Sequence, residues 1–270
     1  MKTPITYYGG KQKLAPIILD LIPRHILYAE PFSGGGAVFF AKKPSEVEVL
    51  NDRNGELINF YQVLKDQFPD LSKEIEKTLH SRKLHHHAWV IYNNPELFSP
   101  VKRAWAVWVL SSQGFSGQLA RTWGYDIEAD STSRKIYFNK LNFTELYSRR
   151  LEKVQLESAD ALYIIRSRDN ADAFFYCDPP YFNSHLGHYK GYRKEDFEDL
   201  LQTLSAIKGK FLLSSYPSKL LKDYTLENQW FTIQFEQLVT VNVKHRNDKK
   251  KIEVLTANYR LEPQAQLLLF

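Results

Sequence analysis

The chain has 270 residues, of which 43% are hydrophobic and 14% aromatic, which is enough for one large domain or for one domain with an insertion. Its formal net charge is +5, which favours a polyanionic partner without identifying one. The single cysteine, Cys177, excludes an intramolecular disulfide and a zinc site built from cysteines. No apolar run approaches about 18 residues, so we expect no membrane span, no secretory leader and a cytoplasmic setting.

The first motif is the segment from Tyr7 to Lys11, in which two tyrosines precede a glycine pair and a lysine. Glycine lets a backbone approach a ligand closely. We expect a helix from Lys11 to about Ile22, with Leu14 and Ile18 on its apolar face. The segment is then either an ordinary loop before a helix or a ligand-binding loop with an aromatic wall and a cation.

A glycine loop follows the first predicted strand, Ile26 to Glu30. The sequence from Pro31 to Gly36 leads into a predicted helix from Ala37 to about Lys42. Strand, glycine loop and helix form the first unit of nucleotide-binding α/β folds. The spacing is neither that of a dinucleotide fingerprint nor that of a phosphate-binding loop. A ligand with a carboxylate end fits this helix N-terminus, and a turn without a ligand is the alternative.

The second predicted strand, Glu46 to Leu50, ends at an acidic residue. Asp52 comes about 20 residues after the glycine loop, where such folds hold ribose hydroxyls. We expect Asn54 to cap the next helix, Gly55 to Lys65, and to leave Asp52 available. The alternative is that Asp52 itself is the cap.

A helical pattern interrupts the α/β alternation between Asp66 and Arg150 and dominates to Gln113. Between Ser99 and Arg150, eight Lys or Arg residues and four Asp or Glu residues are interleaved with nine aromatic residues. Cations for phosphates and aromatic rings for bases suit a nucleic-acid surface. A helical insertion with a solvated basic face is the alternative. Our candidates for DNA contacts are Arg121, Arg134 and Lys135.

Three consecutive histidines, His85, His86 and His87, lie in this helical region. Three adjacent residues cannot share one helix face, and no acidic partners cluster nearby. The pattern predicts a solvated helix end rather than a metal site.

The segment around Asp178 carries the strongest chemical signal. A short strand, Lys153 to Leu156, and a helix beginning after Asp160 precede a buried strand from Ala173 to Tyr176. Two prolines stop that strand at Asp178-Pro179-Pro180-Tyr181. This rigid corner presents a carboxylate, carbonyl acceptors and a flat ring, which suit an amino group on a planar base. An ordinary proline turn is the alternative, and Asp160 is either a helix cap or a further ligand contact.

The last third of the chain returns to the α/β pattern. We expect a helix from Lys194 to Ile207 and strands at Lys210 to Ser215, Phe231 to Val243 and Ile252 to Arg260. The connection from Lys244 to Lys251 holds five basic residues and one acid. These charges either keep the edge of the sheet soluble and unpaired or contact a phosphate backbone.

Together these motifs resemble the DNA adenine-N6 methyltransferases of the DNA adenine methylase type. The resemblance rests on the order of four motifs, which are Tyr7-Tyr8-Gly9-Gly10-Lys11, Glu30-Pro31-Phe32-Ser33-Gly34-Gly35-Gly36, Asn51-Asp52-Arg53-Asn54 and Asp178-Pro179-Pro180-Tyr181. It implies a Rossmann-like α/β methyltransferase fold with a mostly parallel seven-stranded sheet and an antiparallel C-terminal strand. Residues 1–65 and 151–270 would form the catalytic domain, and residues 66–150 an inserted target-recognition region.

The resemblance also implies roles for individual residues. Asp52 would hold the ribose of S-adenosylmethionine, Asp160 would reach its adenine and Phe32 would pack against it. The implied catalytic residues are Asp178, Pro179, Pro180 and Tyr181. The implied cofactor-binding residues are Tyr7, Gly10, Lys11, Glu30, Pro31, Phe32, Ser33, Gly34, Gly35, Gly36, Asp52, Asp160 and Asp178.

The implied activity is site-specific methylation of adenine N6 in double-stranded DNA, with base flipping and without a metal. The implied partners are DNA and a cognate restriction endonuclease, with the enzyme acting as a monomer or weak dimer. The alternatives are cytosine-N4 methylation, a DNA-binding relative without catalysis and a small-molecule methyltransferase; RNA is a less favoured substrate. Cys177 suggests C5 methylation, but its place on a buried strand favours core packing.

Overall fold

Seven strands form one sheet in a computed structural model that describes residues 1–115, 119, 122–127, 131–183, 191–238 and 250–262. The strands are β1 (Leu27–Glu30), β2 (Val47–Asn51), β3 (Val154–Glu157), β4 (Ala173–Cys177), β5 (Lys210–Ser215), β6 (Phe231–Leu238) and β7 (Lys250–Ala257). Their order in the sheet is β3-β2-β1-β4-β5-β7-β6.

The strand directions confirm the expected α/β methyltransferase sheet. The pairs β1–β4, β2–β3 and β4–β5 are parallel, whereas β7 runs antiparallel to both β5 and β6. All five residues of β4 are buried, as expected for a central strand that is covered on both faces. A mostly parallel sheet with an antiparallel strand near the C-terminus is therefore confirmed.

Eleven α-helices and one 3₁₀ turn, Pro95–Leu97, lie in the described part of the chain. The helices are α1 (Ala15–Leu21), α2 (Ala37–Ala41), α3 (Gly55–Asp66), α4 (Phe68–Glu76), α5 (Arg82–Asn93), α6 (Pro100–Gln113), α7 (Ser131–Leu141), α8 (Leu146–Leu151), α9 (Ala161–Arg168), α10 (Lys194–Ala206) and α11 (Lys219–Glu227). The expectation that helix dominates to Gln113 is confirmed, since α6 ends there.

The chain divides into two compact units. The first comprises Met1–Leu19 and Ser33–Ala159, and the second comprises Asp20–Phe32 and Asp160–Phe270. The core of the first unit is built around α6, which is buried from Ala104 to Gln113 and packs against α3 and α5. The role of residues 66–150 as a target-recognition region stays a prediction.

The first helix begins four residues later than expected. The Lys11 carbonyl accepts hydrogen bonds from the N–H groups of Leu14 (3.0 Å) and Ala15 (2.7 Å), so Lys11 closes a turn before α1. Pro16 then occupies the second helical position, where its missing N–H costs nothing. The apolar periodicity of the sequence extends beyond the helix because the turn also buries Leu14.

The two C-terminal strands compare differently with their predicted bounds. β6 is described from Phe231 to Leu238, and its predicted extension to Val243 lies in residues 239–249, which include most of the basic connection and are outside the described residues. β7 ends at Ala257 rather than Arg260. After Ala257, the side chain of Asn258 takes the place of the backbone in pairing with the neighbouring segment. Its amide oxygen accepts from Phe211 N (3.1 Å), and its amide nitrogen donates to Gly209 O (2.9 Å).

The three histidines lie inside α5 rather than at a solvated helix end. His85 is buried together with Ala88 and Ile91 on one face of the helix, whereas His86 and His87 are exposed. The expected solvated helix end is therefore wrong for His85, because the helical period places it on the packed face. Within the described ranges, no group of three or more His, Cys, Asp or Glu residues is arranged to hold a metal ion.

None of the helices in the described part of the chain is both long and apolar enough to cross a membrane.

Candidate active site

In the first unit, backbone and side-chain hydrogen bonds hold the glycine loop in place. The Gly34 N–H donates to Asp52 Oδ2 (2.9 Å), and the Gly34 carbonyl accepts from the hydroxyl of Tyr61 (2.8 Å). The Ser33 N–H donates to Asn51 O (2.9 Å). The loop is therefore tied both to the end of β2 and to α3. Tyr61 was not anticipated, because its contact with the loop is not visible in the sequence pattern.

Tyr7 packs so closely on the loop that only glycine fits beneath it. A Cβ atom added to Gly35 would lie 2.7 Å from Tyr7 Cβ, and one added to Gly34 would lie 3.0 Å from Tyr7 Cε1. Gly34 also has a φ of 47°, which side chains rarely adopt. The Gly10 N–H donates to the Tyr7 carbonyl (3.1 Å). The structure thus brings Tyr7, Gly10 and the glycine loop together.

We expected the Asn54 cap to leave the Asp52 carboxylate without a backbone partner, but Asp52 accepts hydrogen bonds from two backbone N–H groups. Asn54 does cap α3, accepting from Glu56 N (3.1 Å) as expected. Asp52 nevertheless accepts from both Gly34 N and Asn54 N (2.9 Å each). Burial raises the pKa of Asp52, although these two hydrogen bonds oppose the rise. Each carboxylate oxygen has two lone pairs, so the group retains acceptor capacity for a ligand hydroxyl.

Two further polar side chains are buried near these segments. Lys11 is only 8% exposed, and its ammonium donates to Gly9 O (3.1 Å) and so fixes the turn before α1. Ser33 Oγ is buried and makes no hydrogen bond within the part of the chain that the structure describes. A buried hydroxyl in this position is able to hydrogen-bond to a ligand at the loop.

The second unit holds Glu30, Pro31, Phe32 and Asp160. Glu30 is buried at the end of β1 and accepts from the hydroxyl of Tyr28 (2.6 Å). Pro31 is buried and Phe32 partly exposed. Asp160 is exposed and caps α9 by accepting from Tyr163 N (3.0 Å). Of the two alternatives for Asp160, the structure shows the cap, and its cofactor contact stays a prediction.

The Asp178 corner follows directly from β4. Pro179 is buried, while Asp178, Pro180 and Tyr181 are partly exposed. The Tyr181 ring packs edge-on against Tyr216, with ring centroids 4.4 Å apart. A shallow depression in this unit is lined by Pro180, Tyr181, Phe182, Asn183, Phe197, Ser215 and Tyr216.

The hydroxyl of Tyr181 joins a buried polar cluster. It lies 3.2 Å from Asp178 Oδ1, 2.9 Å from Ser214 Oγ and 2.5 Å from Glu253 Oε1. Burial raises the pKa of Tyr181 well above its ordinary value, and the charges of Asp178 and Glu253 add to the effect. The phenol therefore stays protonated and acts as a donor. Ser214 and Glu253 were not anticipated, although an acid inside the apolar run of β7 was a usable signal.

Cys177 lies in the core as expected. It is fully buried at the end of β4. Burial raises the pKa of its thiol, and the Asp178 charge adds to the rise. The thiolate needed for nucleophilic attack is therefore disfavoured.

The candidate DNA-binding residues occupy different environments. Arg121 lies outside the described residues. Arg134 is exposed on α7. Lys135 is half-buried, and burial lowers its pKa. The structure thus leaves Arg134 as the more accessible of the two described cations.

An aromatic platform, composed of the partly exposed His80 and Trp123 and the exposed Arg82 and Tyr125, was missed because it combines separated segments. The rings of Trp123 and Tyr125 are stacked at 5.6 Å. The guanidinium carbon of Arg82 lies 4.6 Å from the Trp123 ring and 5.6 Å from the Tyr125 ring. Buried Gln113 fixes this platform, since its side chain accepts from Ser81 N (3.3 Å) and Trp123 Nε1 (3.4 Å).

Comparison with known proteins agrees with these features. A family model described as "D12 class N6 adenine-specific DNA methyltransferase" matches residues 7–252. The chain therefore belongs to this family and is an adenine-specific DNA methyltransferase by class.

Individual relatives are similar over nearly the whole chain. Over an alignment of 280 positions, the chain is 27% identical to the type II methyltransferase M1.LlaDCHI of Lactococcus lactis subsp. cremoris, and the alignment covers 93% of both proteins. Over 282 aligned positions, it is 27% identical to the DNA adenine methylase of Salmonella typhi, with 95% of this chain and 94% of that protein covered. Over 283 aligned positions, it is 24% identical to the DNA adenine methylase of Serratia marcescens, with 95% of this chain and 97% of that protein covered. The resemblance inferred from the four motifs is confirmed.

Proposed function

We propose that the enzyme methylates N6 of a specific adenine in double-stranded DNA by flipping that base out of the helix and by direct transfer. The observation that carries the proposal is the corner at the end of β4. It combines a carboxylate, Asp178, with backbone carbonyls and the ring of Tyr181 in one short, proline-stiffened segment.

Base flipping follows from the position of the target atom. N6 of a paired adenine is not accessible to a protein pocket, so the base must leave the stack at a cost of a few kcal/mol. Stacking on Tyr181 would return about 1–3 kcal/mol of that cost. The edge-on contact between Tyr181 and Tyr216 supports this role because it restrains the ring.

Asp178 and the carbonyl of Pro179 would accept the two hydrogens of the N6 amino group. This orients the nitrogen lone pair and restricts the motion of the base, so that positioning supplies most of the catalysis. No covalent intermediate with the protein is required, because the bond from N6 to the methyl group would form as the bond from sulfur to that methyl group breaks. The cofactor would leave as a neutral thioether, and N6 would release one proton to solvent. The buried thiol of Cys177 accordingly has no part in the mechanism.

The residues present fit S-adenosylmethionine as the cofactor. When bound, it supplies an electrophilic methyl group on a sulfonium. In the first unit, the buried Ser33 hydroxyl of the glycine loop, which has no partner among the described residues, supports binding of the methionine end. The remaining lone pairs of Asp52 support ribose binding. We propose cofactor contacts for Tyr7, Gly10, Lys11, Glu30, Pro31, Phe32, Ser33, Gly34, Gly35, Gly36, Asp52, Asp160 and Asp178.

We further propose that residues 66–150 recognise the target sequence. The aromatic platform and exposed Arg134 support this, since stacked rings and cations are what bases and phosphates require. We propose a monomer or weak dimer, and a cognate restriction endonuclease as the functional partner. One relative carries the name type II methyltransferase, which supports that setting.

Product analysis tests the proposal directly. Purified enzyme is incubated with duplex DNA and S-adenosylmethionine carrying a labelled methyl group, and the digested nucleosides are separated by mass spectrometry. We expect labelled N6-methyldeoxyadenosine. Label in N4-methyldeoxycytidine, or label in free deoxyadenosine that DNA does not stimulate, would contradict the proposal.

A further inference from the structure

More acceptors lie around the hydroxyl of Tyr181 than it can donate hydrogen bonds to. A hydroxyl carries one proton and therefore donates one hydrogen bond. Glu253 Oε1 at 2.5 Å, Ser214 Oγ at 2.9 Å and Asp178 Oδ1 at 3.2 Å lie within reach. The distances rank Glu253 first and Asp178 last.

Glu253 is well placed to take this proton. It is 5% exposed and is held on β7 opposite Phe235 of β6. The Ser214 hydroxyl also donates to the same Oε1 atom (2.9 Å). Hydrogen bonds from a hydroxyl to a carboxylate at about 2.5–2.7 Å are roughly twice as strong as those between neutral groups. The closest contact of the Tyr181 hydroxyl in this cluster is therefore also its strongest.

We propose that Glu253 is a positioning residue that draws the Tyr181 proton away from Asp178. The inference rests on the proposed role of Asp178 as acceptor of the N6 amino group. A tyrosine proton directed at Asp178 Oδ1 would take one of the lone pairs of the carboxylate and draw on its charge, which weakens the bond that Asp178 makes to that amino group. With the proton on the Glu253 side, Asp178 keeps its acceptor capacity for the substrate, and the Tyr181 ring is anchored at its hydroxyl end.

Glu253 also accepts from Ser214, but the proposed role differs from simple support of the core because it requires the Tyr181 hydroxyl. Glu253→Gln keeps the size of the side chain but removes its charge, which weakens the contact and releases the tyrosine proton toward Asp178. Tyr181→Phe keeps the ring and removes the proton. A Tyr181→Phe enzyme therefore has no hydroxyl proton at this position that Glu253 could draw away from Asp178.

The test is a double-mutant cycle on methyl transfer to duplex DNA. We expect Glu253→Gln to lower kcat about tenfold while the KM for S-adenosylmethionine changes little, and to lower kcat less than about twofold in the Tyr181→Phe background. Glu227→Gln, on the exposed end of α11, is the matched control and should behave as wild type.

A wild-type kcat for Glu253→Gln, or an equal loss in both backgrounds, would overturn the inference. Thermal melting of all variants separates loss of fold from loss of positioning. Should Glu253→Gln not fold, Glu253→Asp replaces it, since the shorter side chain keeps the charge but withdraws it from Tyr181, and the same dependence on Tyr181 is expected. A wild-type enzyme that methylates no DNA adenine would overturn the proposed function instead, and this inference with it.

Discussion

Tyr61 illustrates how much of the glycine loop depends on a side chain far from it in sequence. Its hydroxyl is the donor to the Gly34 carbonyl, and its ring is completely buried in α3. Asp52 holds the N–H of the same glycine. The two peptide groups beside Gly34 are therefore fixed from opposite ends of the residue, which keeps the loop in its left-handed turn.

Removing the Tyr61 hydroxyl should loosen this loop. We expect Tyr61→Phe to lower the free energy of unfolding by about 1–2 kcal/mol, because the Gly34 carbonyl loses its partner, and to weaken S-adenosylmethionine binding. Urea denaturation and calorimetric titration measure the two effects. Tyr147→Phe is the control, since its hydroxyl contact with Thr3 O is long, at 3.5 Å. Equal effects of the two variants would contradict the assignment.

Asp178 is the residue on which the proposed chemistry depends. We expect Asp178→Ala to abolish methyl transfer, because the N6 amino group loses its acceptor, while the melting temperature stays close to wild type. The assay uses labelled S-adenosylmethionine and duplex DNA. Asp172→Ala, at an exposed position before β4, serves as control. Normal turnover by Asp178→Ala would remove the catalytic assignment.

Residues that end strands could be predicted from the sequence, whereas the residues that support them could not. Asp52 and Asp178 were predicted because an acid after a buried strand has a position in a known type of fold. Tyr61 and Glu253 were not, since their partners are 27 and 72 residues away. Such contacts depend on packing, which a single sequence does not display.

At the scale of elements, a buried charge cluster joins α2, β2 and α8 in the first unit. Glu48 accepts from Lys42 Nζ (2.6 Å) and forms a bidentate salt bridge with the guanidinium of Arg150. Arg150 also lies over the Phe39 ring, 3.7 Å from its centroid. Burial raises the pKa of Glu48, but the hydrogen bonds from Arg150 and Lys42 outweigh it, so that the pKa is lowered.

Breaking this cluster should be costly. We expect Glu48→Gln to lower the free energy of unfolding by about 3 kcal/mol, because two buried cations lose their counter-charge. Glu145→Gln, in an exposed pair with Arg149, should cost less than about 1 kcal/mol. Urea denaturation at neutral pH compares them, and a similar cost for both would contradict the assigned role.

The same cluster predicts a pH dependence. Because the pKa of Glu48 is lower in the folded protein than its ordinary value of 4.5, its ionised form contributes fully above about pH 4.5. The contribution is lost as the pH falls through the folded pKa. The stability difference between wild type and Glu48→Gln should therefore shrink on acidification, and a constant difference from pH 7 to pH 3 would contradict this.

The aromatic platform makes a separate prediction for DNA binding. We expect Arg82→Ala to weaken binding and to reduce the slope of log affinity against log salt by about one, as for loss of one phosphate contact. Tyr125→Ala should weaken binding without changing the slope, since a ring carries no charge. Arg166→Ala, exposed on α9, is the control. Fluorescence anisotropy across a salt series measures the slopes, and an unchanged slope for Arg82→Ala would contradict the placement.

Element boundaries were predicted best where the hydrophobic periodicity ends at a capping residue or a proline. Asn54 before α3 and the prolines after β4 set boundaries that the structure confirms. α11 was missed, although Ser218 caps it by accepting from Leu221 N (3.1 Å), because its only fully packed side chain is Leu221. The start of α1 was wrong because a buried turn continues the apolar pattern of the helix.

For the whole molecule, the sheet was predictable because its strands are short apolar runs separated by glycine, acid or proline signals. The antiparallel β7 could be expected only from the family resemblance, since strand direction is not encoded in hydrophobic pattern. The ordered motifs and the match over residues 7–252 agree on one class of enzyme.

The most direct test of the central claim is methylation in a cell that lacks its own adenine methylation. The chain is expressed in such a host, and the genome is sequenced with detection of N6-methyladenine. The account predicts N6-methyladenine at one recurring sequence motif, and none when Asp178→Ala is expressed at the same level. Methylation on cytosine N4, or a genome without methylated adenine despite soluble, folded protein, would contradict it.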